Sequence, residues 1–516
     1  MEFRDKLINY FDLDETTLSD VLKPFESISL KDPNKIEGMD KVKDRIFSAI
    51  KNKEKIIIYG DYDCDGISAT SIMVKTFEKL HYPVSYYIPS RYLDGYGLNV
   101  ENVKKIADKD FKLIITVDNG ISANEAIDLA NSYGIDVIVV DHHEVPETPV
   151  NAVAVIHPTV SHISDIIGSG GYMALFVSAA LLGEYDDYLV TIAGMSVISD
   201  MMELKDYNRD VVRLAVDNLT KHRFLAMKLL LDSPIITEKS FALELAPKIN
   251  AVGRMKEDTS VNKLVKYLTS NDEEEIYRLY KFITEINEER KNFTKEAVDA
   301  LQEDFSAEPG IVLNLDIKEG LIGLIANRLL NQYNLPTLIF TSDEKDPDIL
   351  KGSIRSKNGF NVTKAFASLD KYLLTGGGHA LAGGLSIKKE DFPSFKKDFL
   401  DLCKQYPLVE EEKKVIDIDI KDVNFSNYKI LREFAPFGVG FEEPIFKISN
   451  LPTRALNFIS FGKHLSTQLT INSKILGFNM TEKEVKSHSY IDLYGKFLLS
   501  SFRDEFTLEF RVLEYK

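Results

Sequence analysis

From Lys55 onward the chain keeps switching between two periodicities, and this alternation limits what it can fold into more than any other feature. Short apolar runs suited to buried strands (K-I-I-I-Y, P-V-S-Y-Y-I-P, F-K-L-I-I-T-V, I-D-V-I-V-V and A-V-A-V-I-H) are separated by segments with helical spacing. Such a rhythm predicts a parallel sheet with helices on both faces. Ligands of these sheets gather beyond the carboxyl ends of the strands. The first run passes into three aspartates at alternate positions, Asp61, Asp63 and Asp65, closed by Gly66. A helix with Ile67, Ile72, Val74 and Phe77 among its apolar positions follows. Three like charges on five residues repel one another. An Asp/Gly turn would accommodate them, and a divalent cation would also cancel the repulsion by taking carboxylate oxygens as ligands.

The strand-end rule separates these readings. The run F-K-L-I-I-T-V ends at Asp118-Asn119-Gly120, and I-D-V-I-V-V ends at Asp141-His142-His143. Asp200 ends an apolar helical stretch, Tyr188–Ser199. Carboxylates and imidazoles thus recur at the same sheet edge as the first loop, which favours the cation. Two cations ~3.5–4 Å apart would use such a ligand set for phosphoryl chemistry.

Composition narrows the class. Apolar content of 44% and charged content of 28% describe a globular chain too long, at 516 residues, for one core. No apolar run approaches the ~18 residues of a membrane helix, and the charged N-terminus lacks the apolar core of a signal peptide. Cys64 and Cys403 are too few for a disulfide framework or a four-thiolate zinc site. The expected location is the cytoplasm. A net charge of −17 argues against non-specific coating of nucleic acid and leaves a nuclease open.

Further along, Ile276, Leu279, Tyr280, Ile283, Ile286, Phe293, Ala297 and Leu301 keep helical spacing over residues 272–305. That length, about 45 Å at 1.5 Å per residue, suits a connector between domains. A second α/β unit begins at G-I-V-L-N-L-D (310–316). Beyond the charged run at 410–414 the chain reads as short strands, a small sandwich or barrel.

D-Y-D-C-D-G, V-D-N-G, D-H-H and a later lone aspartate, in that order, resemble the four motifs of the DHH phosphoesterase superfamily. P-K-I-N-A-V-G-R-M (247–255), E-G-L-I-G-L-I-A-N-R-L (319–329), G-S-I-R-S (352–356), G-G-G-H-A-L-A-G-G (376–384) and F-A-P-F-G-V-G-F-E-E-P-I-F (434–446) resemble segments of one branch, the RecJ single-stranded-DNA exonucleases. The resemblance implies a parallel-sheet DHH domain joined by a long helix to a second α/β domain, then an OB-type β barrel. The expected divisions are an N-terminal lead-in at 1–50, the catalytic domain at 51–271, the connecting helix at 272–305, a DHH-associated domain at 306–405 and the barrel at 410–516.

The implied activity is 5′-to-3′ hydrolysis of single-stranded DNA to mononucleotides, in repair and recombination. Two divalent cations, Mn²⁺ or Mg²⁺, are the implied cofactors. Asp63 would hold one and Asp65 the other, Asp118 would bridge them, and His142 and Asp200 would complete the set. Imidazole favours manganese. Asp61 is either a further ligand or a support for the loop. Asp141 is placed to orient an imidazole N–H, and His143 to contact the phosphate or stabilise the site. His157 and His162 lack that context and read as structural. Ser353, Arg355, Gly377, Gly378 and His379 offer a phosphate a hydroxyl, a guanidinium, bare backbone and an imidazole. Asn250 and Arg254 join the nucleic-acid set by resemblance alone. Bases would stack on barrel aromatics, with the choice among Phe458, Phe461, Phe497 and Phe502 open. Implied partners are single-stranded DNA, a single-stranded-DNA-binding protein and a RecQ-type helicase, with no membrane.

Two other functions compete. A DHH phosphodiesterase of short oligoribonucleotides or cyclic dinucleotides typically lacks the added β domain, and a non-catalytic scaffold loses ligands that this chain keeps. The chain departs from its relatives at Lys318, where histidine is common, and at Phe441, where Gly-Asn-Pro-Glu-Pro would place asparagine.

Overall fold

The computed structural model describes residues 2–90, 95, 97–163, 168–256, 259–301, 303–357, 359–409, 414–502 and 505–516. Residues 410–413 of the charged run 410–414, taken above as a boundary, lie outside the described residues. The first sheet is parallel throughout: β1 (Lys55–Tyr59), β2 (Ser85–Tyr87), β3 (Phe111–Val117), β4 (Asp136–Val140) and β5 (Ala154–Ile156) lie in the order β2-β1-β3-β4-β5. The chain builds outward from β1 to β2 and then returns to the other side of β1. The reversal opens a crevice at the ends of β1 and β3. Asp61–Asp65 follow the first of these strands and Asp118 follows the second.

Apolar layers close both faces. One face packs against the helices Cys64–Lys79, Gly170–Leu182 and Asp187–Ser199, the other against Val100–Ala107 and Asn124–Ser132. The helix Gly170–Leu182 is buried at nearly every position, as its unbroken run of small and apolar residues requires.

The helix Glu273–Asp299 leads to the second unit and buries Ile276, Leu279, Ile283 and Ile286. Phe293 has the spacing for that face but is 47% exposed, because the catalytic domain's core ends before it. The second sheet contains β6 (Ile311–Asn314), β7 (Thr337–Ser342), β8 (Ile349–Arg355), β9 (Leu373–Gly378) and β10 (Ala382–Lys388), ordered β6-β7-β8-β10-β9. Only β6 and β7 pair in parallel there.

The third sheet contains β11 (Val415–Asp417), β12 (Ile445–Pro452), β13 (Phe458–Ile459), β14 (His464–Thr470), β15 (Ser473–Gly477), β16 (Tyr490–Phe502) and β17 (Glu505–Tyr515), in the order β11-β12-β16-β17-β15-β14-β13, and mixes parallel with antiparallel pairs. Its core is completed from the other end of the chain. Phe3 and Leu7 of the helix Phe3–Tyr10 are buried with Phe446, Phe497 and Leu493, and the Phe3 ring stacks 5.7 Å from Phe446 and 5.9 Å from Phe497. Phe11 stacks on Phe441 at 4.1 Å, and the Arg209 guanidinium covers Phe441 at 4.5 Å. Phe441, the departure noted above, is therefore the middle layer of a stack joining the N-terminal arm, the third sheet and the first domain.

Candidate metal centre

The first loop is shaped by its own carboxylates. Asp63 caps the helix Cys64–Lys79, its Oδ1 accepting from the N–H groups of Asp65 (2.9 Å) and Gly66 (3.1 Å). A Cβ at Gly66 would lie 2.6 Å from the Asp61 backbone, so only glycine lets the loop fold back this tightly. Asp65 reaches across to the N-terminus of Gly170–Leu182 and accepts from the N–H groups of Gly170 and Gly171, both at 2.7 Å, and from the Ser196 hydroxyl. A helix N-terminus stabilises a carboxylate in this position.

Asp118 leaves β3 with φ +60, a left-handed conformation unusual outside glycine, while its N–H donates to Val140 at 2.9 Å. His142 is the hub. Its Nε2 lies 3.1 Å from Asp118 Oδ1, 3.5 Å from Asp65 Oδ2 and 3.6 Å from Asp200 Oδ2. Asp141 turns the other way. Its Oδ1 accepts from the His142 N–H (2.7 Å), the His143 N–H (3.2 Å) and His143 Nδ1 (2.8 Å), and its Oδ2 from the Ile121 N–H (2.9 Å). Asp141 thus fixes the loop and the His143 ring.

The electrostatics follow from this crowding. Burial, and then the charges of Asp65, Asp63 and Asp61, raise the Asp118 carboxyl well above the usual range. Burial with Asp65 and Asp63 pushes Asp200 up to about 8. Burial lowers His142. Burial also opposes charge on His143, but the Asp141 bond outweighs it and raises the imidazole to about 9. Asp141 is correspondingly lowered despite its burial, chiefly by that same bond.

Three sets of ligand atoms each gather within 4.8 Å: Asp61, Asp63 and Asp118; Asp65, His142 and Asp200; Asp118, His142 and His143. Asp118 and His142 belong to two sets each. Asp200 Oδ2 is buried without a hydrogen-bond donor. Oxygen donors with imidazole, mutually repelling and with a buried oxygen unsatisfied, fit divalent cations.

The proposed nucleic-acid residues fall into two groups. Ser353 and Arg355 stand on β8, with Arg355 Nη1 donating to Ser353 Oγ (3.0 Å) and to the Ile354 carbonyl (2.7 Å). The register places Ser353 beside Gly384, and Gly384 beside Gly377. Gly377, Gly378 and His379 are exposed, and the His379 N–H donates to Ala382 at 2.8 Å. A Cβ at Gly378, with φ +149, would lie 2.4 Å from the Ala382 carbonyl oxygen. Serine, arginine and bare glycine backbone therefore share one corner of the sheet. Asn250 and Arg254 sit elsewhere, on the helix Ala246–Met255. Asn250 Oδ1 accepts from the Cys64 N–H at 2.8 Å, and Arg254 Nη1 donates to the Gly320 carbonyl at 3.3 Å. Asn250 supports the aspartate loop, and Arg254 joins the two α/β units.

Residues 55–218 match the DHH family N-terminal domain, residues 308–405 the DHHA1 domain and residues 416–514 the RecJ OB domain. The single-stranded-DNA-specific exonuclease RecJ of Bacillus subtilis strain 168 is 31% identical over 92% of this chain. The chain belongs to the RecJ branch of the DHH family. It spans 62% of the length of that Bacillus relative. The RecJ exonuclease of Haemophilus influenzae is 27% identical, over 81% of this chain and 79% of its own length. The crystal structure of RecJ from Thermus thermophilus in complex with Mn²⁺ superposes with a TM-score of 0.84 at 22% identity, covering 100% of this chain and 76% of that one. This likeness fixes the fold, including the C-terminal OB-type domain.

Sequence reasoning missed the partners of Asp65. Gly170, Gly171 and Ser196 bond its carboxylate, Ser169 bonds the Ser196 hydroxyl, and a Cβ at Gly170 would lie 2.5 Å from Asp118 Oδ1. The signal was present as G-S-G-G (168–171) ahead of an apolar helix, a pattern that exposes N–H groups to an anion. Among the barrel aromatics Phe461 is fully exposed, Phe458 half-buried and Phe497 buried. The Phe502 side chain lies outside the described residues.

Proposed function

We propose that this RecJ-family chain is a metal-dependent 5′-to-3′ exonuclease that hydrolyses single-stranded DNA to 5′-mononucleotides. The observation that carries the reading is the 3.1 Å contact of Asp118 with His142, which joins the set Asp61–Asp63–Asp118 to the set Asp65–His142–Asp200. Asp63 would hold one cation and Asp65 the other, Asp118 would serve both sets, His142 and Asp200 would complete the ligands, and Asp61 would be a further ligand or a support for its loop. Bound there, Mn²⁺ or Mg²⁺ would activate water and neutralise charge on the phosphoryl group.

The chain's own groups do the rest. Asp141 keeps the His143 imidazole cationic at neutral pH, and its half-exposed ring presents an N–H to the scissile phosphate. Ser353, Arg355, the Gly377–Gly378 backbone and His379 grip a phosphate further along the strand. The units involved are residues 51–271 for hydrolysis, 272–305 as connector, 306–405 for the phosphate corner and 410–516 for holding bases. Long single strands explain the need for the last unit, which dinucleotide hydrolysis would not. A single-stranded-DNA-binding protein and a RecQ-type helicase are the protein partners this reading implies, in repair and recombination in the cytoplasm. No helix among the described residues is long and apolar enough to cross a membrane.

Digestion of 5′-labelled single-stranded DNA with Mn²⁺ tests the proposal. Labelled mononucleotide should appear first. Cleavage confined to cyclic dinucleotides or pyrophosphate would overturn it. Arg355→Ala should weaken strand binding by about tenfold and leave Mn²⁺ affinity unchanged.

A further inference from the structure

His157 read as a structural histidine in the sequence, and its surroundings give it a more specific task. It follows β5 directly and is 2% exposed. Its Nδ1 accepts from the Thr159 N–H at 3.0 Å, which places the ring proton on Nε2. Nε2–H then donates to the His143 carbonyl at 2.7 Å. The turn that holds the ring is itself tied down. The His157 N–H donates to Ser161 Oγ at 3.2 Å, that hydroxyl donates to the Val155 carbonyl at 3.2 Å, and the Ser161 N–H returns to the His157 carbonyl at 2.8 Å.

We propose that His157 is a positioning residue for the D-H-H loop, acting through the His143 carbonyl on the metal-binding geometry of His142. The inference rests on the metal-centre reading above. The loop has two backbone anchors on the end of β5: the Asp141 N–H donates to the Ile156 carbonyl at 3.0 Å, and the His143 carbonyl accepts from His157. His142 is the residue between them. Its Nε2 must lie among three carboxylates spaced 3.1 to 3.6 Å from it, so a small rotation of the loop removes it from one partner or another. The Asp141 carboxylate holds the loop from within, and His157 ties its far side to the end of β5. A neutral imidazole suits the second anchor because it accepts on one nitrogen and donates on the other. Outer partners of this kind typically change metal affinity or activity by ~10–100-fold when removed.

The test compares His157→Leu, which fills similar space without polar atoms, with His157→Gln, whose amide nitrogen reaches the position of the ring Nε2 and can donate to the His143 carbonyl. Mn²⁺ affinity is measured by calorimetry on substrate-free protein, and kcat and KM on single-stranded DNA. The expected result is a loss of about tenfold or more in Mn²⁺ affinity and kcat for H157L, KM within about twofold of wild type, and recovery of most of the loss in H157Q. A folded H157L with wild-type Mn²⁺ affinity would overturn the proposal, as would equal losses in H157L and H157Q. If circular dichroism shows H157L unfolded, His157→Ser takes its place. Its hydroxyl caps the Thr159 N–H but is too short to reach the His143 carbonyl, and wild-type affinity in that variant overturns the proposal equally. Failure of the wild-type protein to degrade DNA would remove the exonuclease reading and leave the calorimetric comparison standing.

Discussion

The carboxylate of Asp65 accepts a 2.7 Å hydrogen bond from the N–H of Gly170, while a Cβ built on Gly170 would lie 2.5 Å from Asp118 Oδ1. One glycine thus fixes the spacing of two proposed ligands from different strand ends. Its N–H holds the first, and its missing side chain admits the second. Gly170→Ala should keep the fold, because alanine suits a helix start, but must push Asp118 or the helix aside. Displacing reacting groups by about 1 Å costs on the order of 100-fold. Steady-state kinetics with circular dichroism would check this: a hundredfold fall in kcat with native ellipticity is expected.

Asp118 stands in two ligand sets. Asp118→Ala should lower kcat by at least about a thousandfold, since electrostatic stabilisation lost at a single donor alone costs ~10²–10³. Thermal stability without metal should rise in the same variant, because a buried carboxylate repelled by Asp65, Asp63 and Asp61 is gone. Activity within tenfold of wild type would exclude the bridging role.

Metal removal has the opposite sign. Folding gathers Asp61, Asp65 and Asp118 at exposures of 4%, 2% and 2%, which is unfavourable until a cation neutralises them. Mn²⁺ at a hundred times its Kd should add about 2.7 kcal/mol to unfolding free energy relative to protein in chelator. Scanning calorimetry across a metal titration measures the shift. A melting temperature independent of Mn²⁺ would contradict the fit of this site to the cation.

The strand-end logic that located this centre was legible because parallel sheets confine ligands to one edge, so D-x-D-x-D-G, Asp118 and D-H-H could be placed together from order alone. Asp65's attachment to Gly170 and Gly171 was not legible, because it depends on which helix N-terminus the crevice receives. The same holds for Asn250. Its resemblance-based role was strand contact, yet its side chain bonds the Cys64 N–H, a pairing across 186 positions that no periodicity encodes. Phe3 and Phe11 carried no sign that they belong to a sheet at the far end of the chain. Helical spacing shows which face is apolar, not what covers it.

That long-range closure has its own test. Phe11 and Arg209 sandwich Phe441, joining three segments. Phe11→Ala removes one aromatic layer from a partly buried site and should cost about 2 kcal/mol, below the ~3–5 expected for a fully buried ring. Urea unfolding followed by Tyr fluorescence should show an early transition of the third sheet, with Mn²⁺ affinity unchanged.

The same junction should respond to acid. Glu238, from the first domain, is buried and receives a bidentate bond from Arg432, with Nη1–Oε1 at 2.9 Å and Nη2–Oε2 at 2.6 Å. Burial opposes its charge, but the Arg432 bond prevails and the carboxyl is held below its ordinary 4.5. A lowered pKa in the folded state means that this pair contributes its full stability above about pH 4.5 and loses it as pH falls through the lowered value. Protonation there leaves the partly buried guanidinium without its countercharge, and ~3–5 kcal/mol, the cost of breaking a fully buried pair, is the upper bound on the loss. The third sheet of the wild-type protein should therefore become protease-sensitive only below pH 4.5. Glu238→Gln should be sensitive already at pH 7, and its cleavage rate should change little between pH 6 and pH 4. A Glu238→Gln profile that tracks wild type across that range would show that other carboxylates govern the acid release.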